Sequence, residues 1–390
     1  MSTPHWLYSL ILKQFHWIQC VIVFTALTGC ATTPAPEQQA ALFFPSPPDP
    51  PRLQYLTRFS SPSDLVTEST GLKDFILGEE TVGDHLVKKP YGIAIHDGKL
   101  YVVDTRGSGY GIYDLKQRRT DFIWGSAGGT MKKPINITID KEGNKYITDT
   151  GRNQVLVFNH DDKFVRALGE RDQFKPADVL VVDEKLYVSD LYNHQIQVIS
   201  KTTGDPLFTF GRAGSGDNEL FQPTNLSLGP NNELFISDTG NFRIQKYTLD
   251  GKFIRSYGSI GDSVGHFARP KGINVDRSDR LYVVDAAFEN VQILNQDGTP
   301  LMFFGESGDK RGNINLPTDI IIDYDNLEYF QSYVEPGFKL EYVVLIASQF
   351  GVNKVAAFGF GKMEGLDYSI PDTGSQSADS QGADSQGEAP

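Results

Sequence analysis

Four side chains at one recurring position carry the chemistry most easily read from this chain. Asn136, Asp178, Asn225 and Asp319 each stand two residues after a proline, at Pro134, Pro176, Pro223 and Pro317. Two carboxylates and two amides are hard oxygen donors, the set that Ca²⁺ prefers. Gly92 and Gly272 take the same place after Pro90 and Pro270. Small polar residues at a crowded position also bond the backbone or hold water. The expectation is therefore either a Ca²⁺ site or a structural ring, with no cofactor required for the second.

A second set of acids recurs at Asp104, Asp149, Asp190, Asp238 and Asp285, each 14 or 15 residues after its proline. One residue type at five equivalent places argues for structure. An Asp at the end of a strand bonds the backbone N–H groups of its own turn.

Zinc catalysis would need histidines that converge with one open coordination position. His85, His96, His160, His194 and His266 fall at different places in the pattern. No G-x-S-x-G, H-E-x-x-H, Walker A or dinucleotide fingerprint stands in a suitable context. No catalytic residue is assigned. The turns that follow the recurring Asp offer Arg106, Arg152, His194, Arg243 and Lys354, and the Gly-rich links offer Lys88, Lys89, Lys132, Lys133, Arg171, Arg212, Arg269, Lys271, Lys310 and Arg311, partly offset by Glu79, Glu80, Glu170, Asp217, Asp262 and Glu306. Net charge is −13 and the pI is near 5.0, which argues against nucleic-acid binding. The partial offset leaves the loop face near neutral or mildly positive on an acidic protein, and opposed patches orient the docking of a protein partner. Solvated loops are the other reading of the same residues.

These positions recur because the chain repeats about every 45 residues, from Pro90 through Pro317, and such a period marks a propeller or solenoid. In the repeat from Pro223, the runs Pro223 to Leu228, Glu233 to Ser237, Arg243 to Thr248 and Lys252 to Tyr257 alternate or carry β-formers. Asp250-Gly251 gives a hairpin signal. Four short antiparallel strands make a blade that cannot bury both faces alone, so blades pack radially. The spacing predicts five complete blades and an irregular sixth, with first strand Asp319 to Ile322, second Tyr342 to Ala347 and third Asn353 to Phe358. Gln349 stands where its turn Asp is expected. An aromatic insertion, Tyr324 to Leu340, is either an interaction surface or a lid on the last blade. The sixth blade lacks a fourth strand. Tyr55 to Ser60 aligns without gaps on Phe253 to Gly258, so the N-terminal segment is expected to supply it. The fold class is all-β, a six-bladed β-propeller of four-stranded antiparallel blades closed by an N-terminal strand.

The strings Pro90-Tyr91-Gly92-Ile93, Leu100-Tyr101-Val102-Val103-Asp104 and Ser237-Asp238-Thr239-Gly240-Asn241-Phe242-Arg243-Ile244-Gln245 resemble the NHL-repeat family of six-bladed β-propellers, over roughly residues 52–361. The resemblance implies architecture more than activity. In residue type only, the ring of Asn136, Asp178, Asn225 and Asp319 is similar to the central calcium site of six-bladed lactonases and phosphotriesterases.

At the N-terminus, the apolar run Ile18 to Leu27 is followed by Leu27-Thr28-Gly29-Cys30, which resembles a bacterial lipobox with Cys30 as the lipidated residue. About ten apolar residues are too few to span a bilayer, which takes about 20. The expected organisation is a signal peptide at 1–29, a Pro-rich tether at 30–51, the propeller at 52–365 and an acidic, low-complexity tail at 366–390. Ala31 after the Cys favours the outer membrane by resemblance to the sorting pattern of such lipoproteins. The chain has two cysteines, Cys20 and Cys30. The functional expectation is a non-catalytic docking module for another cell-envelope protein, with no nucleic-acid partner. The alternatives are a Ca²⁺-dependent, lactonase-like hydrolase at the channel mouth, and a small-ligand or glycan binder.

Overall fold

In blades 1 to 5 the repeat proline lies directly opposite the Asp that closes the next strand. Pro90 pairs with Asp104, Pro134 with Asp149, Pro176 with Asp190, Pro223 with Asp238 and Pro270 with Asp285. Proline has no N–H to give a ladder and is suited to the first residue of a strand. The pairing therefore sets where each blade begins. The computed structural model describes residues 40–46, 48–65, 86–170 and 173–368, and residues from Leu42 onward form one compact unit.

Blade 1 comprises Pro90–His96, Lys99–Asp104, Gly109–Asp114 and Arg119–Ile123. Blades 2 to 5 repeat that order, each a four-stranded antiparallel meander. The tight turns use left-handed residues where the chain reverses, as at Asn232, Phe242 and Gly251 in blade 4. First strands touch those of the neighbouring blades in sequence, and the last meets the first. A hydroxyl relay runs around this inner ring. Thr148 donates to Ala177 O at 3.0 Å, Ser189 to Thr224 O at 2.7 Å, and Thr318 to Tyr91 O at 2.8 Å. The core lies between blades rather than within them. Tyr187, Val198 and Phe210 of blade 3 pack with Leu226, Ile236 and Tyr247 of blade 4.

Blade 6 departs from the spacing. Its strands are Asn315–Asp323, Phe338–Phe350 and Val355–Met363, all longer than expected. Pro317 pairs with Ser348, so Ser348, and not Gln349, takes the place of the turn Asp. The N-terminal strand Leu53–Phe59 is the fourth strand, running antiparallel to the third with Leu53 opposite Phe360 and Phe59 opposite Val355. A short fifth strand, Phe43–Phe44, pairs with it in turn. Leu42 and Phe44 pack on the core of this blade. This corrects the expected tether at that point, because these apolar residues are part of the propeller.

The 324–340 insertion is a lid. It forms a turn of helix at Leu327–Phe330 and a 3₁₀ turn at Gln331–Tyr333. Phe330 is fully buried, edge-on to Phe59 with ring centroids 6.2 Å apart. Gln54 fixes the segment by donating to Tyr333 O at 2.9 Å and accepting from Glu335 N–H at 3.1 Å. The signal segment, Cys30, residues 30–39 of the tether, the 369–390 tail and His85 lie outside the described residues. Among the described residues, no helix is long and apolar enough to cross a membrane.

Candidate functional site

The inter-blade links and the turns between second and third strands share one face, and the recurring Asp joins them. Asp149 accepts from Lys132 and Lys133 N–H of the link at 2.7 and 3.0 Å, and from Gly151 and Arg152 N–H of the turn at 2.9 and 3.0 Å. Asp104 and Asp285 are bonded in the same way. Their charge is met by backbone dipoles, so these carboxylates are structural.

Most of the turn cations expected to form a protein-binding face are spent inside the fold. Arg152 donates to Gly128 O at 2.7 Å, to Thr130 O at 2.9 Å and to Gln154. Arg243 bridges Asp238 at 2.9 Å and the carbonyls of Gly216 and Glu219. Lys354 is buried, its Nζ donates to Lys88 O at 3.2 Å, and burial lowers its pKa. His194 accepts from Gln222 N–H through Nδ1 at 3.0 Å and stacks on Phe221. Of the five, only Arg106 is exposed. The physical reason is local: link carbonyls left without partners by the irregular backbone take the long donors of the adjacent turn.

The same face holds a different cationic feature. Around the channel mouth is a basin of about 490 Å³ lined from all six blades. Lys89, Lys133 and Lys175 reach it from blades 1 to 3, Lys271 from blade 5, and Gln349 from blade 6. Blade 4 contributes Gln222, Thr224 and Thr239. No residue lining it carries a carboxylate. Three of these lysines directly precede Pro90, Pro134 and Pro176, where their backbone N–H groups are pinned by Asp104, Asp149 and Asp190. Lys271 is 9% exposed. Burial, with the charge of Arg269 as a smaller cause, pushes its pKa down to about 8. Sequence reasoning missed this ring and passed over Lys175. The signal was present, since one residue type stood before three consecutive blade prolines.

Beneath the mouth, the residues two after each proline do converge, as expected. Asp319 accepts from Ile93 N–H at 2.9 Å and from the Asn225 amide at 3.3 Å. Asp178 accepts from Val179 and Leu226 N–H at 2.7 and 2.8 Å, and Asn136 Oδ1 accepts from Ile137 N–H. Glycine at the two remaining places is a matter of space. A Cβ on Gly92 would overlap Asn136 Oδ1, and one on Gly272 would overlap Asp319 Cα. Burial raises the pKa of Asp319 to about 7. Burial, and then repulsion from Asp319, raises Asp178 well above the carboxylate range. Asn225 Oδ1 is buried without a partner. The four residues fit a Ca²⁺ ion in donor type and in this free oxygen, while at least three of their oxygens already serve the backbone. Among the described residues, no group of three or more His, Cys, Asp or Glu is placed to hold a metal.

A family profile described as a 6-bladed beta-propeller matches residues 174–258, which are blades 3 and 4. Protein lin-41 of Caenorhabditis elegans is 39% identical over 49 residues, 13% of this chain, and the chain spans only 4% of its length. The fold is similar to an auxiliary nutrient binding protein from Bacteroides thetaiotaomicron, with a TM-score of 0.55 and 15% identity over 80% of this chain and 78% of that one. It is also similar to a gluconolactonase from Xanthomonas campestris, with a TM-score of 0.52 and 15% identity over 82% and 97%. The six sheets, the repeat and these matches agree on the fold: the chain is a six-bladed β-propeller.

Proposed function

We propose that this propeller is a non-catalytic binding module of the cell envelope, and that a partner docks on the link-and-turn face with a projecting group in the mouth basin. The observation that carries this reading is the basin, about 490 Å³ and lined from every blade. That size suits a small ligand or the tip of a partner's loop. Tyr192 borders it, and Tyr192 and Phe350 are exposed on this face. Exposed aromatics are frequent anchors of protein interfaces. The propeller fold hosts both enzymes and binders, so the site decides the reading. Leu27-Thr28-Gly29-Cys30 supports attachment to the outer membrane through a lipid on Cys30, and the acidic pI supports a partner other than nucleic acid. The test places a photo-crosslinking residue at Tyr192 and, separately, at Asp183 on the opposite face, in intact cells. A stoichiometric envelope protein joined at 192 and not at 183 is the expected result. Equal yields at both positions, or none at 192, overturn it.

Asn225 favours a second reading. Its unpartnered Oδ1, with Asp178 and Asp319 beside it, suits a Ca²⁺ ion serving a hydrolase at the channel. Calorimetric titration of Ca²⁺ into the purified propeller tests it: no saturable heat, or heat that persists in Asn225→Ala, removes this reading.

A further inference from the structure

We propose that the mouth basin binds a small, multiply charged oxyanion, a phosphate ester or a polycarboxylate. The inference rests on the reading of the mouth as the binding site and names the chemistry it takes. Four lysines, Lys89, Lys133, Lys175 and Lys271, line one basin on a chain whose net charge is −13. None of them forms an ion pair with a described residue. The acids nearest their backbones, Asp104, Asp149 and Asp190, are occupied by backbone N–H groups.

Lys271 is the most informative of the four. It is nine-tenths buried, faces the basin and has no hydrogen-bond acceptor among the described residues. An unpaired buried cation is costly unless something compensates it. No acid of the chain is paired with it, and the basin it lines gives an outside anion access to it. Tyr91 lines the same basin and is a neutral residue. A monovalent anion would satisfy one lysine and leave three, so the arrangement calls for a ligand with at least two charged groups. The ligand is small because the basin holds about 490 Å³.

The experiment is calorimetric titration of the purified propeller with pyrophosphate, citrate and glucose at constant ionic strength. Saturable one-to-one binding of pyrophosphate or citrate is expected. The tighter of the two tells whether phosphate or carboxylate is the recognised group. Lys133→Glu/Lys175→Glu changes exposed residues that the fold does not need, and should weaken binding at least tenfold. Lys271→Met should weaken it similarly, whereas Lys252→Glu on the opposite face should not. Binding of glucose alone, no saturable binding, or binding unchanged in the double variant overturns the inference. A partner captured at position 192 by a propeller that binds neither anion sinks this inference and leaves docking standing. Anion binding without a captured partner does the reverse.

Discussion

Asp319, on the last blade, accepts the backbone N–H of Ile93, on the first, at 2.9 Å. The bond joins two ends of a ring that are 226 residues apart in the chain. Asp178 makes the same bond to Leu226 between blades 3 and 4. The inner latch at Asp319 and the outer latch at Leu53–Phe59 close the propeller at two radii. The outer one removes a sheet edge that would otherwise invite pairing with another chain.

The outer latch depends on Phe59, which is fully buried and meets Tyr113 and Phe330 at ring centroid distances of 5.7 and 6.2 Å. It pins the N-terminal strand, the lid and blade 1 together. Phe59→Ala should cost about 3–5 kcal/mol, read by urea denaturation. Removing residues 42–59 should go further and yield a chain that aggregates on purification. A soluble monomer with an unchanged midpoint after that deletion would show that the last blade closes without the strand.

The pair of buried carboxyls gives the fold a pH dependence of definite sign. Asp319 titrates near 7 in the folded state and near about 4 when unfolded. Between these values the folded chain holds a proton that the unfolded chain has lost. Stability therefore falls as pH rises from about 4 to about 7, with a slope of up to about 1.4 kcal/mol per pH unit for each such group. Asp178, also raised, adds to the same trend, and the two titrate as a pair. Denaturation midpoints measured across this range should decline, and the decline should flatten in Asp319→Asn. A wild-type midpoint that rises through the window would mean that a cation, not a proton, holds the ring.

The repeat made most of this architecture legible. Five proline–Asp pairs at constant spacing define five blades, and the gapless alignment of Tyr55 to Ser60 on Phe253 to Gly258 identified the closing strand. Blade 6 was misread at Ser348 because the insertion and the long strands Phe338–Phe350 and Val355–Met363 break the period that made the other blades readable. The candidate site was harder for a different reason. Sequence shows that Arg152 and Arg243 carry charge, but not that link carbonyls at Gly128 and Gly216 take their donors. Lys175 and Lys133 belong to one ring only once the blades are placed about an axis. The convergence of Asn136, Asp178, Asn225 and Asp319 was readable because it follows from register alone.

The two ring glycines are set by that register. Gly92 faces Asn136, and Gly272 faces Asp319, each with no room for a Cβ. Gly92→Ala and Gly272→Ala should each cost about 2–3 kcal/mol by overpacking at the axis. Gly365, whose surroundings are open, has φ +78 and so tests backbone strain without crowding. Its Ala variant should cost about 1 kcal/mol. Losses at Gly92 and Gly272 no larger than at Gly365 would mean that space at the axis does not select glycine in the ring.

Lys271 separates stability from binding. Its side chain is nine-tenths buried with no acceptor among the described residues, and its pKa is about 8 where an unfolded lysine has about 10.4. Between those values the unfolded chain holds the proton that the folded chain has released, so stability rises with pH across that window. Below pH 8 both states are charged, and the folded state carries the full cost of the buried cation. Lys271→Met keeps the side chain's length and apolar body while removing that charge. It should raise stability at pH 7 by about 2 kcal/mol and abolish the rise above pH 8. A residue that costs stability in the empty protein, and whose removal weakens anion binding, is a residue kept for its ligand. A Met variant less stable than wild type at pH 7 would instead make Lys271 a structural residue, held by contacts of its stem with the channel wall.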